Sequence, residues 1–351
     1  MVFQTNRILN FIWLQTSAFD PCVLLHNSVK LNMALYFDDI ILLGENNSLM
    51  EKTVKTLKSE FKVKDMGLLS WLLGIQIEHS NSSLTLSQSA YIDRILSKFS
   101  MQNCNPVSTP IDQNNRLMAV KKGETRVDPR LYQQIIGSIM YLVSGTRPDL
   151  AYTITHLSQY NSDPTISHLN AAKRVLRYLK GTRDLKLTYK YKSHIILNGF
   201  CDASYGNCFD TRRSFSGYLF KLGNSTICWR SLKQRSVAHS TCEAEYMALA
   251  LAVKQYIWVL RSLEQLTKTD ISTSLLTDNS AAIDLAHNPK INDASKHIDI
   301  AYHITREQIL NGSLILMHVN SAKILADICT KRFPRSRNTE LCTTIFDLDE
   351  G

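Results

Sequence analysis

The sequence of 351 residues lacks the marks of several common protein classes. It contains no apolar run of about 18 residues or more, so we expect no membrane-spanning helix and no membrane as partner. Gln, Asn and Arg interrupt residues 1–15, unlike the apolar stretch of a secretory signal. The eight cysteines form no CxxC pair, which argues against a zinc ribbon or a disulfide scaffold. We therefore predict reduced thiols and a cytoplasmic or nuclear location.

The composition is that of a chain with a hydrophobic core. A hydrophobic content of 44% with 20% charged residues excludes a mainly disordered chain. At roughly 150 residues per domain, the length predicts two domains. The 40 Lys and Arg residues exceed the 31 Asp and Glu residues, and the resulting charge of +9 favours a nucleic acid as partner.

Apolar spacing and turn residues predict mixed α and β structure in the first half of the chain. Residues 31–43 form an apolar run with two central carboxylates, which indicates a β-hairpin with Asp38 and Asp39 near its turn. Residues 103–128 are rich in Asn, Pro, Thr, Gln and Lys and form the expected linker. With Ser48 as the first N-cap, the spacing predicts helices over 48–64, 88–100, 129–145, 149–161 and 164–180, and strands over 68–78 and 83–87.

The last part of the chain predicts a mixed sheet covered by helices, so the predicted fold class is α/β of the mixed α+β type. Three strands come first, a long helix follows, and strands then alternate with helices. In chain order we expect strands over 195–202, 215–221 and 225–230, a helix over 241–265, a strand over 273–277, helices over 279–287 and 298–311, a strand over 313–318 and a helix over 321–331.

Four acidic residues lie within or next to these last elements: Asp202, Glu245, Asp278 and Asp327. Carboxylates at the ends of neighbouring strands can meet at one edge of a sheet, where their charges repel unless a cation neutralises them. Divalent ions can hold such a cluster and support phosphodiester hydrolysis. Alternatively, each Asp is a turn former or a helix cap. The spacing alone leaves both interpretations open.

The same residues stand in segments that resemble a known family. The segments GFCDASYGN, CEAEYMALA, LLTDNSAAIDLAHNP and HVNSAKILADICTK are similar to the type 1 ribonuclease H domain of copia-type LTR retrotransposon Pol polyproteins. Upstream, LYFDDIILLG resembles the Tyr-x-Asp-Asp hairpin of their reverse transcriptase, and TRPDLAYTITHLSQYNSDP resembles their connection segment. The resemblance runs from about residue 12 to residue 340 in the family's order.

The resemblance implies a division of the chain into four parts. Residues 1–102 would be a truncated reverse transcriptase palm and thumb, and residues 103–192 the linker and a helical connection segment. Residues 193–335 would be a ribonuclease H-like mixed sheet with flanking helices, and residues 336–351 a C-terminal tail.

For the ribonuclease H part, the resemblance implies that Asp202, Glu245, Asp278 and Asp327 are catalytic residues that bind two Mg²⁺ ions, with Mn²⁺ as an alternative. Within CEAEY, Glu245 is preferred to Glu243 because its Glu-aromatic-Met-Ala run aligns better with the family pattern.

Three more residues near these carboxylates have a role implied by the resemblance and a simpler alternative. His318 lies near the position of a family histidine that aids proton transfer and product release, and its alternative is a structural role at a strand end. Asn279 and Ser280 would contact a backbone phosphate or a 2′-hydroxyl. Their alternative is capping of the following helix.

For the reverse transcriptase part, Asp38 and Asp39 would be the metal ligands of a polymerase remnant. The resemblance places Asp20 in the Asp-Pro-Cys segment before the hairpin, so the third polymerase carboxylate and the fingers are missing. We therefore expect no independent polymerase activity. A full-length Pol chain or a second copy of this chain is the expected protein partner.

A basic stretch in the connection segment gives a further hypothesis. Lys173, Arg174, Arg177 and Lys180 follow near-helical spacing, so part of one helix face is cationic. This face would bind the backbone of an RNA–DNA hybrid, mostly independently of its sequence. The alternative is an ordinary solvated helix face.

Two functions follow from these observations. The first is metal-dependent endonucleolytic cleavage of RNA in RNA–DNA hybrids by a retrotransposon-derived ribonuclease H. The second is a catalytically decayed transposon fragment that at most binds nucleic acid. A hybrid-cleavage assay with and without Mg²⁺ separates them.

Overall fold

The structure is a computed structural model that describes residues 14–26, 30–114, 116–120, 123–191, 194–287 and 299–348. Some predictions lie outside these ranges. They are the boundary at 192/193, the start of a helix at 298 and the last three residues of the expected tail.

The described residues confirm a mixed α and β fold. The strands are β1 (Leu14–Thr16), β2 (Val23–His26), β3 (Leu31–Tyr36), β4 (Asp39–Gly44), β5 (Trp71–Leu72), β6 (Ile75–His79), β7 (Ser83–Ser87), β8 (Leu187–Lys190), β9 (Ile196–Ser204), β10 (Phe215–Leu222), β11 (Ser225–Lys233), β12 (Ser272–Thr277) and β13 (Leu316–His318). The α-helices are α1 (Asn47–Glu60), α2 (Ser89–Lys98), α3 (Pro129–Gly145), α4 (Ala151–Leu157), α5 (Ile166–Gly181), α6 (Thr241–Thr267), α7 (Ser280–His287), α8 (Asp299–Leu310) and α9 (Arg335–Phe346). Within the described ranges, no helix has the length and apolar content needed to cross a bilayer.

The first of two compact units consists of Met1–Ser70 and Gln255–Ile271. Its antiparallel sheet has the strand order β1-β2-β3-β4. Apolar side chains of the sheet form a core with Leu57 of α1. The predicted hairpin is β3 and β4, where Tyr36 pairs with Asp39 across a two-residue turn.

The cap of α1 differs from the prediction. Asn46, and not Ser48, precedes the helix, and its side chain accepts a hydrogen bond from the Leu49 backbone N–H at 3.1 Å. An N-cap residue has extended backbone, and Asn46 has φ −102° and ψ 106°. Ser48 lies inside the first turn instead.

The second unit consists of Trp71–Lys254 and Ser272–Gly351. Its five-stranded sheet has the order β11-β10-β9-β12-β13. Strands β9, β10 and β11 are antiparallel, and β12 and β13 run parallel to β9. Three antiparallel strands beside two parallel ones form the mixed sheet that the ribonuclease H resemblance implies. The central strand, β9, has neighbours on both sides, which places its end in the middle of one sheet edge.

A second antiparallel sheet of this unit has the order β5-β6-β7-β8. Strand β8 follows the connection helices, and its Tyr189 pairs with Leu84 of β7. Residues on both sides of position 102/103 therefore share one sheet. The predicted boundaries at 102/103, 192/193 and 335/336 stay predictions.

The predicted helix over 321–331 is wrong. Ser321–Lys323 and Leu325–Cys329 are short 3₁₀-helices instead, and Asn320 caps the first. An α-helix at a protein surface keeps one polar face, but every residue of the second segment is buried. Asp327 therefore lies on a tight buried turn and not on the C-terminal α-helix that the sequence predicts.

The chain after residue 335, expected to be a tail, forms α9 as far as Phe346. Leu341, Ile345 and Phe346 belong to the same hydrophobic cluster as Leu219 of β10. The helix is thus part of the core of the second unit.

Candidate functional site

Asp202 lies near the end of β9, and its side chain is 1% exposed. Its partner on β10 is Gly217. A Cβ atom at position 217 would lie 2.6 Å from the Cβ of Cys329 and 2.7 Å from the Cγ2 of Thr330. Glycine therefore allows the 3₁₀-helix that carries Asp327 to pack directly on the sheet beside Asp202.

Glu245 and Asp278 approach Asp202 from two other elements. Glu245 lies early in α6, and its Oε2 accepts a hydrogen bond from the backbone N–H of Ala203 at 3.1 Å. Asp278 directly follows β12, the parallel neighbour of β9. Carboxylate oxygens of Asp202, Glu245 and Asp278 all lie within 4.8 Å of one another. In the described part of the chain, no other three Asp, Glu, His or Cys side chains form such a group.

Glu243 has a different role. Its Oε2 accepts a hydrogen bond from the His239 backbone N–H at 2.7 Å, and its own N–H donates to the Ser240 hydroxyl at 3.1 Å. These bonds stabilise the start of α6. The structure therefore places Glu245, and not Glu243, beside Asp202.

Asp327 is connected to Asp202 through a lysine. The Nζ of Lys331 lies 2.5 Å from Oδ1 of Asp327 and 3.0 Å from Oδ1 of Asp202. The Thr330 hydroxyl donates a hydrogen bond to Oδ2 of Asp202. Nη2 of Arg337 lies 3.8 Å from Oδ2 of Asp327. Sequence reasoning missed Lys331, although a lysine four residues after a candidate ligand is the signal that would have found it.

Burial and neighbouring charges change the pKa values in this cluster. Burial, and then the charges of Asp202 and Asp278, raise the pKa of Glu245 to about 9. Burial, and then the charge of Asp202, raise the pKa of Asp327 to about 6. Burial alone would lower the pKa of Lys331, but the charges of Asp202 and Asp327 outweigh it and raise that pKa. A bound cation relieves such repulsion. This all-oxygen donor set fits a divalent ion, which Asp202, Glu245 and Asp278 would hold.

The three other predicted residues lie next to this cluster. His318 is exposed at the end of β13, and its Nε2 lies 3.2 Å from the backbone oxygen of Asp278. The Asn279 side chain accepts a hydrogen bond from the Ala282 backbone N–H at 2.9 Å and so caps α7, which is the alternative that the sequence left open. Ser280 is exposed at the first position of that helix.

The predicted polymerase ligands lie in the first unit. Asp38 and Asp39 are exposed at the tip of the β3–β4 hairpin. Within the described residues, no third carboxylate, histidine or cysteine completes a metal-binding group with them.

The basic stretch lies on α5 and contacts the linker. Lys173 is exposed. The other three cations donate hydrogen bonds within the chain: Arg174 to the Thr109 hydroxyl at 2.8 Å, Arg177 to the Asn105 carbonyl at 2.7 Å and Lys180 to the Gln102 carbonyl at 2.7 Å. The contacts of Arg174 and Arg177 hold the linker on the helix, and that of Lys180 holds the residue just before the linker. The sequence did not predict this role. The grip on a hybrid backbone stays a prediction.

Known proteins resemble this chain over most of its length. Residues 22–113 match the model of the reverse transcriptase (RNA-dependent DNA polymerase) family. The retrovirus-related Pol polyprotein from transposon TNT 1-94 of Nicotiana tabacum is 36% identical over 335 residues, which cover 92% of this chain and 25% of the polyprotein. An uncharacterized mitochondrial protein of Arabidopsis thaliana is 37% identical over 226 residues, which cover 64% of this chain and 93% of that protein.

Among solved structures, the LC11 ribonuclease H1 crystallised with an RNA/DNA hybrid is 16% identical, with a TM-score of 0.29, and covers 38% of this chain and 93% of its own. The chain spans 25% of the length of the tobacco polyprotein. The family follows from the sequence relatives, one of which matches over 92% of this chain. The chain belongs to the retrovirus-related Pol polyproteins of copia-type LTR retrotransposons.

Proposed function

We propose that this chain is a ribonuclease H that cleaves the RNA strand of RNA–DNA hybrids endonucleolytically and depends on Mg²⁺. One observation carries the proposal: Asp202, Glu245 and Asp278 converge within 4.8 Å at the edge of the mixed sheet. Asp327 joins them through its lysine contact. Such a concentration of carboxylates, two of them buried and Asp278 half-buried, is unfavourable without a cation, which is why it points to a metal centre.

The side chains of the chain itself would orient the substrate and move protons. A divalent ion held by Asp202, Glu245 and Asp278 would supply Lewis acidity at the scissile phosphodiester. The Thr330 hydroxyl keeps the Asp202 carboxylate in place. His318 is exposed and adjacent to Asp278, where it can exchange a proton between the cleaved strand and water.

The hybrid would be bound mainly through its backbone. Ser280 is exposed at the N-terminus of α7, where helix N–H groups favour a phosphate, and its hydroxyl can bond to a phosphate or a 2′-hydroxyl. Lys173 can add a sequence-independent phosphate contact from α5.

The hairpin would contribute no polymerase activity. Nucleotidyl transfer needs metal ions held by converging carboxylates, and Asp38 and Asp39 have no third ligand beside them among the described residues. Primer extension with the purified chain should show no templated incorporation, and a template-dependent product would contradict this part of the proposal.

A hybrid-cleavage assay tests the proposed activity. A labelled RNA strand paired with DNA should be cut in Mg²⁺ and left intact in EDTA, whereas RNA duplex and DNA duplex should stay intact. Asp278→Asn should reduce cleavage to background because it removes a ligand charge without changing size. Asp284→Asn is the matched control, since Asp284 is exposed on α7 away from the cluster.

A folded wild-type chain that leaves the hybrid intact in both Mg²⁺ and Mn²⁺ would contradict the proposal and favour the decayed transposon fragment. Equal cleavage by Asp278→Asn and wild type would show that this carboxylate is not a ligand.

A further inference from the structure

The four candidate ligands are not equivalent. Asp202, Glu245 and Asp278, here called the triad, lie within 4.8 Å of one another, and Asp327 is outside that group. Oδ1 of Asp327 lies instead 2.5 Å from the Nζ of Lys331. The centre thus consists of a triad and a separate ion pair that meet at Asp202.

Lys331 contacts the carboxylates of both Asp202 and Asp327, and we call this arrangement the lysine bridge. The local backbone fixes it. The N–H groups of Thr330 and Lys331 both donate to the Asp327 carbonyl, at 3.0 and 2.9 Å. The same turn directs the Thr330 hydroxyl to Oδ2 of Asp202, while Lys331 contacts Oδ1. The bridge is therefore part of a buried turn and differs from the loose ion pairs of a protein surface.

The ammonium of Lys331 contacts Asp202 and Asp327, the two carboxylates that a second divalent ion would need. Two ions that act on one phosphodiester lie about 3.5–4 Å apart, so they share a carboxylate. Asp202 is the residue that the triad shares with the bridge. An ammonium and a divalent ion cannot use the same oxygens of Asp202 and Asp327 together, because both are cations that need close contact with them.

Lys331 has a route out of this position. Its side chain is 36% exposed, whereas those of Asp202 and Asp327 are 1% and 9% exposed. The carboxylates are therefore held in the protein, and the lysine is the member of the bridge that can turn into solvent.

We propose that the Lys331 ammonium occupies the second cation position, between Asp202 and Asp327. As a positioning residue, it sets how many metal ions the centre binds. One divalent ion binds the triad directly. A second ion binds between Asp202 and Asp327 only when the ammonium withdraws, so its affinity is lower. Any effect of Lys331 on hybrid cleavage rests on the proposed ribonuclease H function, whereas its effect on metal binding does not.

Metal titration of the full chain tests the inference. Calorimetry with Mg²⁺ and paramagnetic resonance with Mn²⁺ should show one tighter ion in the wild type and a second at least about tenfold weaker. Lys331→Met removes the charge and should tighten the second ion by about tenfold or more. Lys331→Arg keeps the charge and should behave like wild type. Lys323→Met, a change at an exposed lysine of the preceding 3₁₀-helix, should leave both affinities unchanged.

Two results would overturn the inference. One is a wild type that binds two Mn²⁺ ions with equal affinity, which can be measured whether or not the variants fold. The other is an unchanged second affinity in a folded Lys331→Met variant.

Cleavage assays on the same proteins separate this inference from the proposed function. If Lys331→Met tightens the second ion but no variant cuts a hybrid, the lysine bridge stands and the ribonuclease H proposal fails. If the wild type cuts hybrids and Lys331→Met binds metal as the wild type does, the ribonuclease H proposal stands and the lysine bridge fails as a control of metal binding.

Discussion

Replacing Glu245 with Gln should stabilise the metal-free protein at alkaline pH while it removes a candidate metal ligand. The oxygens of Glu245, Asp202 and Asp278 lie within 4.8 Å of one another. At that separation, two unit charges repel by roughly 3.5 kcal/mol for an effective dielectric constant of about 20. Glutamine keeps an oxygen that accepts the hydrogen bond from the Ala203 N–H, but it carries no charge.

The sign of the pH dependence follows from the raised pKa. The pKa of Glu245 is about 9 in the folded protein, against an ordinary value of 4.5. Between these values the folded state binds more protons than the unfolded state, so the free energy of unfolding falls as pH rises. At about 1.36 kcal/mol per pKa unit, the stability lost because Glu245 must ionise in the folded protein reaches at most about 5 kcal/mol at pH 8. At pH 5 it stays below about 1 kcal/mol. We therefore expect Glu245→Gln to gain roughly 2–4 kcal/mol at pH 8 and almost nothing at pH 5.

Urea unfolding in EDTA at the two pH values measures this difference. Glu243→Gln is the matched control, because Glu243 lies on the same helix and contacts the His239 backbone instead of the triad. Saturating Mg²⁺ should stabilise the wild type more than Glu245→Gln and so reduce the advantage of the variant. A gain of equal size at both pH values, or no gain at pH 8, would show that burial and the neighbouring charges do not raise the pKa of Glu245 in this way.

Three further substitutions test the surroundings of the site. Asp149→Asn should lower the free energy of unfolding, measured in urea, by about 3–5 kcal/mol, because the fully buried Arg147 loses the charge of its partner at 2.7 Å. A loss of about 1 kcal/mol or less, as for a surface ion pair, would contradict this. Gly217→Ala should cost about 1–3 kcal/mol and weaken Mn²⁺ binding, since its Cβ would displace the adjacent 3₁₀-helix. Arg177→Ala should speed limited proteolysis near Asn105, whose carbonyl it binds, and unchanged digestion would show that this contact does not hold the linker.

Local patterns account for what the sequence predicted correctly. The β3–β4 hairpin follows from an apolar run with a turn of two residues between its strands. The order of strands and helices after residue 195 likewise predicted the mixed sheet. Segment similarity identified the family, and the relatives confirm it with 36% identity over 92% of the chain.

Local patterns failed where the surroundings of a segment decide its conformation. The apolar spacing of 321–331 resembles a helix, but every residue of Leu325–Cys329 is buried and Cys329 packs against Gly217, so this part forms a 3₁₀-helix. The cationic face of α5 has the pattern of a nucleic-acid surface. Two of its four cations bind the linker and a third binds Gln102 just before it, which no spacing rule reveals.

The sequence by itself determined which side chains this protein has for metal chemistry, and it placed Asp202, Glu245 and Asp278 on or beside the correct elements. Only the tertiary structure decided how they are grouped. Asp202, Glu245 and Asp278 form one cluster, and Lys331 draws Asp327 into an ion pair at its border. The physical reason is distance: charge interactions depend on separations of a few ångströms, and these residues lie 33 or more positions apart along the chain except for Asp327 and Lys331. Folding of β9, β12 and α6 against one another sets those separations.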